Sequence, residues 1–187
     1  MGDIMNNLTI ELCELKNKFI INNLYPLYLH DLAGIRNVLP NKYGVFEDDE
    51  KYHTLEQQIP VFDIWWEKEG ILFPYLLKVD GLPAGFILVT SPPYLFDNCD
   101  FMINEIFILR PYRGKGIGEN SVREVFNLHR GKWMLFTTPT DKNLDTISFW
   151  RKTLSGYTNN QFTEEDKELN DVGFSKVFKF NNEKFLK

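Results

Sequence analysis

Residues 103–118 read INEIFILRPYRGKGIG, the pattern of an apolar strand, a basic glycine-rich turn and the start of a helix. Three alternate glycines in the turn let a ligand approach the backbone closely, because glycine has no Cβ. The first N–H groups of a helix have no partner within the helix and carry a partial positive charge. Arg113 and Lys115 add two formal charges. The stretch therefore predicts a phosphate or pyrophosphate site.

Two common phosphate-binding motifs do not fit this turn. The Walker pattern requires Ser or Thr after its lysine, whereas Lys115 is followed by Gly116. The dinucleotide pattern requires Gly-x-Gly-x-x-Gly, whereas the spacing here is Gly114-x-Gly116-x-Gly118, with Ser121 following. These failures disfavour a nucleotide-binding protein. A plain turn that begins a helix remains the alternative interpretation of the glycines alone.

Upstream of this stretch, the periodicity predicts a strand, a helical region and a hairpin. Apolar residues alternate over Leu8–Cys13 with the period of a strand, and those of Lys16–Val38 recur at helical spacing. Pro26 should either break this helical region into two pieces or kink it. Two further apolar runs, 72–79 and 84–90, are separated by an Asp-Gly pair, which is a strong hairpin signal.

Strands and helices alternate over the rest of the chain. The predicted elements are a strand at Phe101–Leu109, a helix at Gly116–His129 that Gly131 ends, a strand at Trp133–Thr138, a helix at Asn143–Leu154, and final strands at Tyr157–Thr163 and Phe174–Phe180 joined by an acidic loop at 164–171. This order predicts a mixed central sheet with helices packed on its faces, an α/β or α+β architecture.

Composition disfavours several classes of protein. A chain of 187 residues has the length of one domain, which we place at residues 1–187. Acidic residues outnumber basic ones by 26 to 21, so we expect no nucleic-acid partner. No apolar run is long enough for a membrane span and the first residues lack a signal-peptide pattern, so we expect a cytoplasmic protein. The cysteines, Cys13 and Cys99, and the scattered histidines show no metal-ligand spacing.

A second motif lies downstream of the glycine turn, where Asn143 opens a helix that carries the aromatic pair Phe149-Trp150. The turn itself completes the pattern Arg/Gln-x-x-Gly-x-Gly/Ala, and a strand with a closing proline, 106–112, precedes it. Together these features resemble the GCN5-related N-acetyltransferase (GNAT) family. The element order from 8 to 180 agrees as well, so the resemblance implies the acyl-CoA N-acyltransferase fold for nearly the whole chain.

The resemblance implies acetyl-CoA as co-substrate, lying between two splayed parallel strands near 104–109 and 132–138. Asn143 would contact the pantetheine arm, although its position equally suits a helix N-cap, and Phe149 would pack beside the arm. The backbone of three strand residues would pair with the pantetheine and the acetyl carbonyl: Ile106, Phe107 and Ile108. The pyrophosphate would be held by the N–H groups of Arg113, Gly114, Lys115, Gly116, Ile117 and Gly118.

The resemblance also implies attack by an amine on a thioester, which needs a base for the amine proton. Glu105 is the candidate base, since it lies in an apolar strand where some family members carry a glutamate; the alternative is that it pairs with a cation or faces solvent. Many members place a Tyr after the helix aromatic as the acid for the leaving thiolate, whereas this chain has Trp150. Tyr157 is the substitute candidate, with a core aromatic as the alternative.

The predicted function is therefore an acetyl-CoA-dependent N-acetyltransferase that acts on a primary amine of a small molecule or protein. A non-catalytic CoA-binding or interaction module on the same fold is the alternative. Acidic stretches at 47–50 and 164–171 weakly favour a cationic amine as acceptor. No metal or membrane partner is expected, and a homodimer is left open.

Overall fold

The computed structural model describes residues 7–46, 51–170 and 172–184, so the acidic run at 47–50 and Asp171 lie outside the described residues. The strands are β1 (Leu8–Leu12), β2 (Leu72–Val79), β3 (Leu82–Thr90), β4 (Phe101–Ile108), β5 (Lys132–Thr137), β6 (Thr163–Leu169) and β7 (Gly173–Asn181). The helices are α1 (Lys18–Arg36), α2 (Ile64–Glu67), α3 (Ile117–Leu128) and α4 (Leu144–Thr158).

The strands form one mixed sheet in the order β1-β2-β3-β4-β5-β7-β6. The pair β4–β5 is parallel and the other pairs are antiparallel. The predicted fold class, a mixed sheet flanked by helices, is confirmed. No helix in the described residues is long and apolar enough to span a bilayer.

Each face of the sheet carries its own core. On one face, α3 and α4 pack Val122, Phe126 and Trp150 against strand residues that include Ile87 and Leu135. The opposite face is covered by α1 and α2. Its core contains Ile21 and Leu24 from α1 and Trp65 from α2. The strands contribute Leu76, Phe86, Leu88 and Phe107. Alternate residues of β3 and β4 therefore serve different cores, as expected for a strand buried on both sides.

The β2–β3 hairpin forms as predicted. Asp80 and Gly81 both have positive φ, 52° and 78°, and two successive residues with positive φ match the twist of a tight antiparallel hairpin. The glycine meets this requirement without steric cost, and an aspartate tolerates it better than most residues.

The helical region predicted at Lys16–Val38 is a single helix. Pro26 lies inside α1, which runs without a break from Lys18 to Arg36, so the two-piece alternative is wrong. Burial of Ile21, Leu24, Leu29 and Ala33 spans the proline on both sides. This continuous apolar face packs the helix onto the sheet and offsets the hydrogen bond that proline removes.

The C-terminal third departs from the prediction in two places. Helix α4 continues to Thr158, so Tyr157 is helical and not the start of a strand. The stretch 164–169 is strand β6 and not a loop. Ion pairs to β7 explain why so acidic a stretch can form a strand: Glu165 forms an ion pair with Lys179, and Asp166 forms one with Lys176.

Gly131 has a different role from the predicted helix end. Helix α3 ends at Leu128 with His129 as its C-cap, and Gly131 has φ +149° just before β5. A Cβ at this position would lie 2.6 Å from Asp100 Oδ2. The glycine is therefore needed for close approach to the loop that precedes β4.

Candidate active site

Strands β4 and β5 separate after a short parallel segment. They pair from Phe101–Trp133 to Ile103–Leu135 and no further. At the same level β4 has a bulge against β3, because Leu88 pairs with Glu105 while Val89 pairs with Ile103. Asn104 is the extra residue. Bulges bend a strand and increase its twist, so this one turns β4 away from β5 and leaves the edge of residues 104–108 open.

A cleft of about 590 Å³ lies where the two strands part. Its walls come from α1, the diverging ends of β4 and β5, the start of α4 and the start of β7. Among the predicted site residues, Glu105, Ile106 and Asn143 line it. Trp150 of the aromatic pair also lines it, and so does Tyr28, to which no sequence motif pointed. The predicted cleft between splayed strands is therefore present.

The glycine turn lies between β4 and α3, and its backbone N–H groups are available. Gly114 and Gly116 have φ of +72° and +75°, which turns the chain sharply before α3 begins at Ile117. Within the described part of the chain, the N–H groups of residues 114–118 donate to no backbone carbonyl. The Arg113 N–H, which was predicted to belong to the same set, instead donates to Arg110 O at 3.1 Å and is not available to a phosphate. Five donors at a helix N-terminus, those of residues 114–118, fit a pyrophosphate.

The glycine turn lies close to α4 at Gly118. A Cβ at Gly118 would lie 3.5 Å from the Phe149 ring and 3.6 Å from an Ile108 side-chain carbon. These are ordinary van der Waals distances, so the first turn of α3 packs against the ring and the strand. Phe149 thus lies beside the turn, and Trp150 beside it forms part of the cleft wall.

Arg113 anchors the turn to α1. Its guanidinium donates to Asp31 Oδ2 at 2.5 Å and its Nε donates to Ile108 O at 2.7 Å. Arg110 donates to Asp31 Oδ1 at 2.8 Å. Burial opposes the charge of Asp31, but the hydrogen bonds from the two arginines hold the pKa of its carboxyl below its ordinary value. The Lys115 ammonium donates to Pro111 O at 2.8 Å.

The three strand residues predicted to pair with pantetheine do not face the same way. A Cβ on Gly85 would overlap Phe107 O, so the carbonyl of Phe107 points toward β3. Backbone groups alternate in direction along a strand, and those of Ile106 and Ile108 therefore point toward the open edge. Ile108 O already accepts the Arg113 Nε hydrogen. Ile106 thus has the backbone best placed for a ligand along this edge.

Asn143 occupies the N-cap position of α4 but does not cap the helix with its side chain. Its Nδ2 donates to Thr137 Oγ1 and to Thr138 O, both at 2.7 Å. The residue is 3% exposed, and its Oδ1 is buried without a hydrogen-bond partner among the described residues. Buried acceptors are normally satisfied. This oxygen is therefore suited to a donor that enters the cleft, such as an amide N–H.

Glu105 is held by a residue from another element. The Tyr28 hydroxyl of α1 donates a short hydrogen bond to Glu105 Oε2. Burial, together with the nearby Glu105 charge, raises the pKa of Tyr28 well above its usual value. Tyr28 therefore stays protonated and keeps donating. No local signal in the sequence could reveal this pair, because 77 positions separate the two residues.

Tyr157 is not brought to the cleft. Its hydroxyl donates to Asn127 Oδ1 at 3.0 Å, and its ring packs on Phe126 and Phe180. Burial raises the pKa of its hydroxyl. The position favours the core-aromatic alternative over the role of acid for the leaving thiolate.

The mixed sheet, the splayed β4–β5 pair and the glycine turn define an acyl-CoA N-acyltransferase fold. The model of the acetyltransferase (GNAT) family matches residues 34–155. The chain therefore belongs to the GNAT family. No curated protein sequence matches it significantly.

Solved structures share the fold at low sequence identity. An acetyltransferase from Thermus thermophilus superposes with a TM-score of 0.62 at 13% identity, covering 95% of this chain and 99% of its own. A spermidine N-acetyltransferase SpeG chimera of the Vibrio cholerae protein gives 0.61 at 12% identity, covering 95% and 97%. The PaiA N-acetyltransferase of Thermoplasma acidophilum, in complex with coenzyme A, gives 0.60 at 15% identity, covering 94% and 99%.

Proposed function

We propose that this protein is an acetyl-CoA-dependent N-acetyltransferase that transfers the acetyl group to a primary amine by direct attack. The observation that carries the proposal is the position of Glu105. Its carboxylate lines the cleft at the bulge where β4 leaves β5, and Tyr28 holds it. The glycine turn follows the same strand, between the end of β4 and the start of α3.

The residues around the cleft fit the coenzyme. The N–H groups of residues 114–118 suit a pyrophosphate, and the open edge at Ile106 suits the pantetheine arm. The buried Asn143 Oδ1 is an acceptor for one of the amide N–H groups of that arm. Acetyl-CoA supplies an activated acyl thioester when bound.

Glu105 acts on the amine. A primary amine attacks only when neutral, and a carboxylate within reach, directly or through one water, takes up its proton. The Tyr28 hydrogen bond to Oε2 fixes the orientation of the carboxylate that accepts this proton. Tyr28 is thus a positioning residue.

Direct attack also agrees with the state of the cysteines. Cys13 and Cys99 are both buried, and burial is the main cause that raises the pKa of each thiol to about 11. A thiol with such a pKa is a poor nucleophile near neutral pH. We therefore expect no acyl-enzyme on cysteine.

The leaving group needs no dedicated acid in this proposal. A thiol has an ordinary pKa of about 8.5, so a thiolate departs more easily than an alkoxide or an amide. Tyr157 lies outside the cleft, and Trp150 offers an indole N–H that is not a useful acid. Protonation of the thiolate by solvent completes the transfer.

Glu105→Gln tests the assignment. We expect acetyl-CoA binding by calorimetry to stay within about twofold, and thiol release with an amine panel to fall by about 10²–10⁴-fold, the range of general acid–base catalysis. Glu168→Gln is the matched control, because Glu168 is exposed on β6. Acetyl-CoA binding without thiol release from any amine would instead favour the non-catalytic CoA-binding module.

A further inference from the structure

We infer, on the basis of the proposed function, that the acceptor is a primary amine on an apolar, aromatic body, an arylalkylamine, and that its ring occupies a second pocket beside the cleft. This pocket has a volume of about 470 Å³, within the range of small-molecule sites, about 300–1,000 Å³. Its wall includes the aromatic residues Trp65, Tyr94 and Phe96.

The pocket lies on the face of the sheet that carries Glu105. Leu88 and Glu105 are opposite each other in the β3–β4 ladder, so their side chains share a face. Thr90, two residues beyond Leu88, points to the same face and lines the pocket. An occupant of the pocket is therefore on the side from which Glu105 accepts a proton.

The pocket and the cleft are neighbours. Phe96 and Asn104 line both of them. Asn104 is the bulged residue that immediately precedes Glu105 in β4. An amine tethered to a ring in the pocket thus passes this shared boundary to reach the base and the coenzyme.

The chemistry of the pocket wall defines the class of acceptor. None of the described residues that line it carries a charge. Its polar side chains are neutral: Thr90, Asn104 and Asn170. Thr90 is 4% exposed, and its Oγ1 has no hydrogen-bond partner among the described residues. Aromatic walls with a few neutral polar groups suit a ring with one or two hydrogen-bonding substituents.

The same wall disfavours a polyamine, which needs several anionic partners. Three carboxylates of the acidic stretch in β6 are already engaged in ion pairs: Glu164 binds Arg151, Glu165 binds Lys179 and Asp166 binds Lys176. The fourth, Glu168, is a single exposed carboxylate and does not line the pocket. The likeness to a spermidine N-acetyltransferase at 12% identity extends to the fold alone.

The experiment compares 2-phenylethylamine and tyramine with spermidine and a lysine-containing peptide, each with acetyl-CoA. We expect kcat/KM to be highest for the two arylalkylamines. Tyr94→Ala should raise their KM by about tenfold, the size of one lost aromatic contact, and leave KM for acetyl-CoA unchanged. Tyr43→Ala is the matched control, since Tyr43 is 44% exposed and lines neither cavity.

The outcomes separate this inference from the proposed function. Preference for spermidine or the peptide, or an unchanged KM in Tyr94→Ala, overturns the arylalkylamine inference and leaves the acetyltransferase activity standing. Failure to bind acetyl-CoA overturns the proposed function. In that case, titration of 2-phenylethylamine into the coenzyme-free protein still tests the arylalkylamine inference. The inference is contradicted if the wild-type protein does not bind the amine, or if Tyr94→Ala binds it with the same affinity as wild type.

Discussion

The Tyr28 hydroxyl in α1 donates a hydrogen bond to the Glu105 carboxylate at the bulge of β4. The Tyr28 ring packs edge-on against Phe86 and Phe107, with centroids 5.9 and 6.0 Å away. The two strands on that face thus fix the ring, and the ring fixes the carboxylate. The candidate base is therefore positioned by a helix that the glycine-turn motif does not include.

Tyr28→Phe should lower kcat by about tenfold and leave KM for acetyl-CoA unchanged, since a hydrogen bond to a charged group contributes about 1.5–3 kcal/mol. The carboxylate form of Glu105 loses a donor, so the acid limb of the pH–rate profile should move to higher pH. Steady-state kinetics across pH give both readouts.

Tyr157→Phe is the control for this change, because it removes a hydroxyl that bonds to Asn127 away from the cleft. We expect unchanged kcat. A tenfold loss there with no loss in Tyr28→Phe would return the acid role to Tyr157.

Gly116→Ala should weaken acetyl-CoA binding. Gly116 has φ +75° in the turn, and an L-residue in this region is strained by about 1–2 kcal/mol. Relief of that strain redirects the N–H groups that we propose bind the coenzyme pyrophosphate. Calorimetry should show Kd raised at least about tenfold, the equivalent of 1.4 kcal/mol.

Gly70→Ala controls for strain alone, since Gly70 has φ +76° with open space around it and lies in the loop before β2. We expect Gly70→Ala to lower the free energy of unfolding by about as much as Gly116→Ala does, and to leave the Kd for acetyl-CoA at the wild-type value. Equal Kd values for both variants would contradict a ligand-binding role for the turn.

Gly85→Ala should destabilise the protein by more than about 3 kcal/mol, the upper part of the range for single substitutions. The added Cβ would overlap Phe107 O in the neighbouring strand, and neither backbone can move without breaking the ladder.

Gly34→Ala should instead stabilise the protein by about 0.5–1 kcal/mol, because Gly34 lies in α1 and an added Cβ there would meet no other atom within 4 Å. Urea denaturation measures both; a mild effect at Gly85 would contradict the β3–β4 geometry.

Asp97→Asn should destabilise the protein at neutral pH by about 1 kcal/mol, because the pair is partly exposed and screened. Hydrogen bonds from Lys167 and Lys179 hold the pKa of Asp97 well below its usual value. A lowered pKa in the folded state stabilises above the unfolded pKa, about 3.9, and the contribution disappears as pH falls through the folded value. The difference in unfolding free energy between wild type and variant should therefore shrink below about pH 4. A constant difference would contradict the assignment.

Local patterns were sufficient for much of the fold. The Asp80-Gly81 hairpin, the run that became β4, and the turn leading into α3 each depend on residues adjacent in sequence. Strand β6 differs from the predicted loop, because acidic residues are typical of a solvated loop unless cations lie opposite them, and here Lys176 and Lys179 of β7 do. Cross-strand charge pairing is a tertiary property that composition does not reveal.

By itself the sequence determined the glycine turn and the motifs that resemble the GNAT family, because these depend on residue type and short spacing. The resemblance then implied Glu105 as candidate base. The tertiary structure decided which side chains meet. It placed the Tyr28 hydroxyl on Glu105 and packed the Tyr157 ring on Phe126, outside the cleft lining. It also left Asn143 Oδ1 buried without a partner in a residue that lines the cleft, with no side-chain cap on α4. The physical reason is that such contacts depend on how α1 and the bulged β4 pack across the sheet. That packing brings together residues that are tens of positions apart in the chain, and local sequence periodicity cannot predict such contacts.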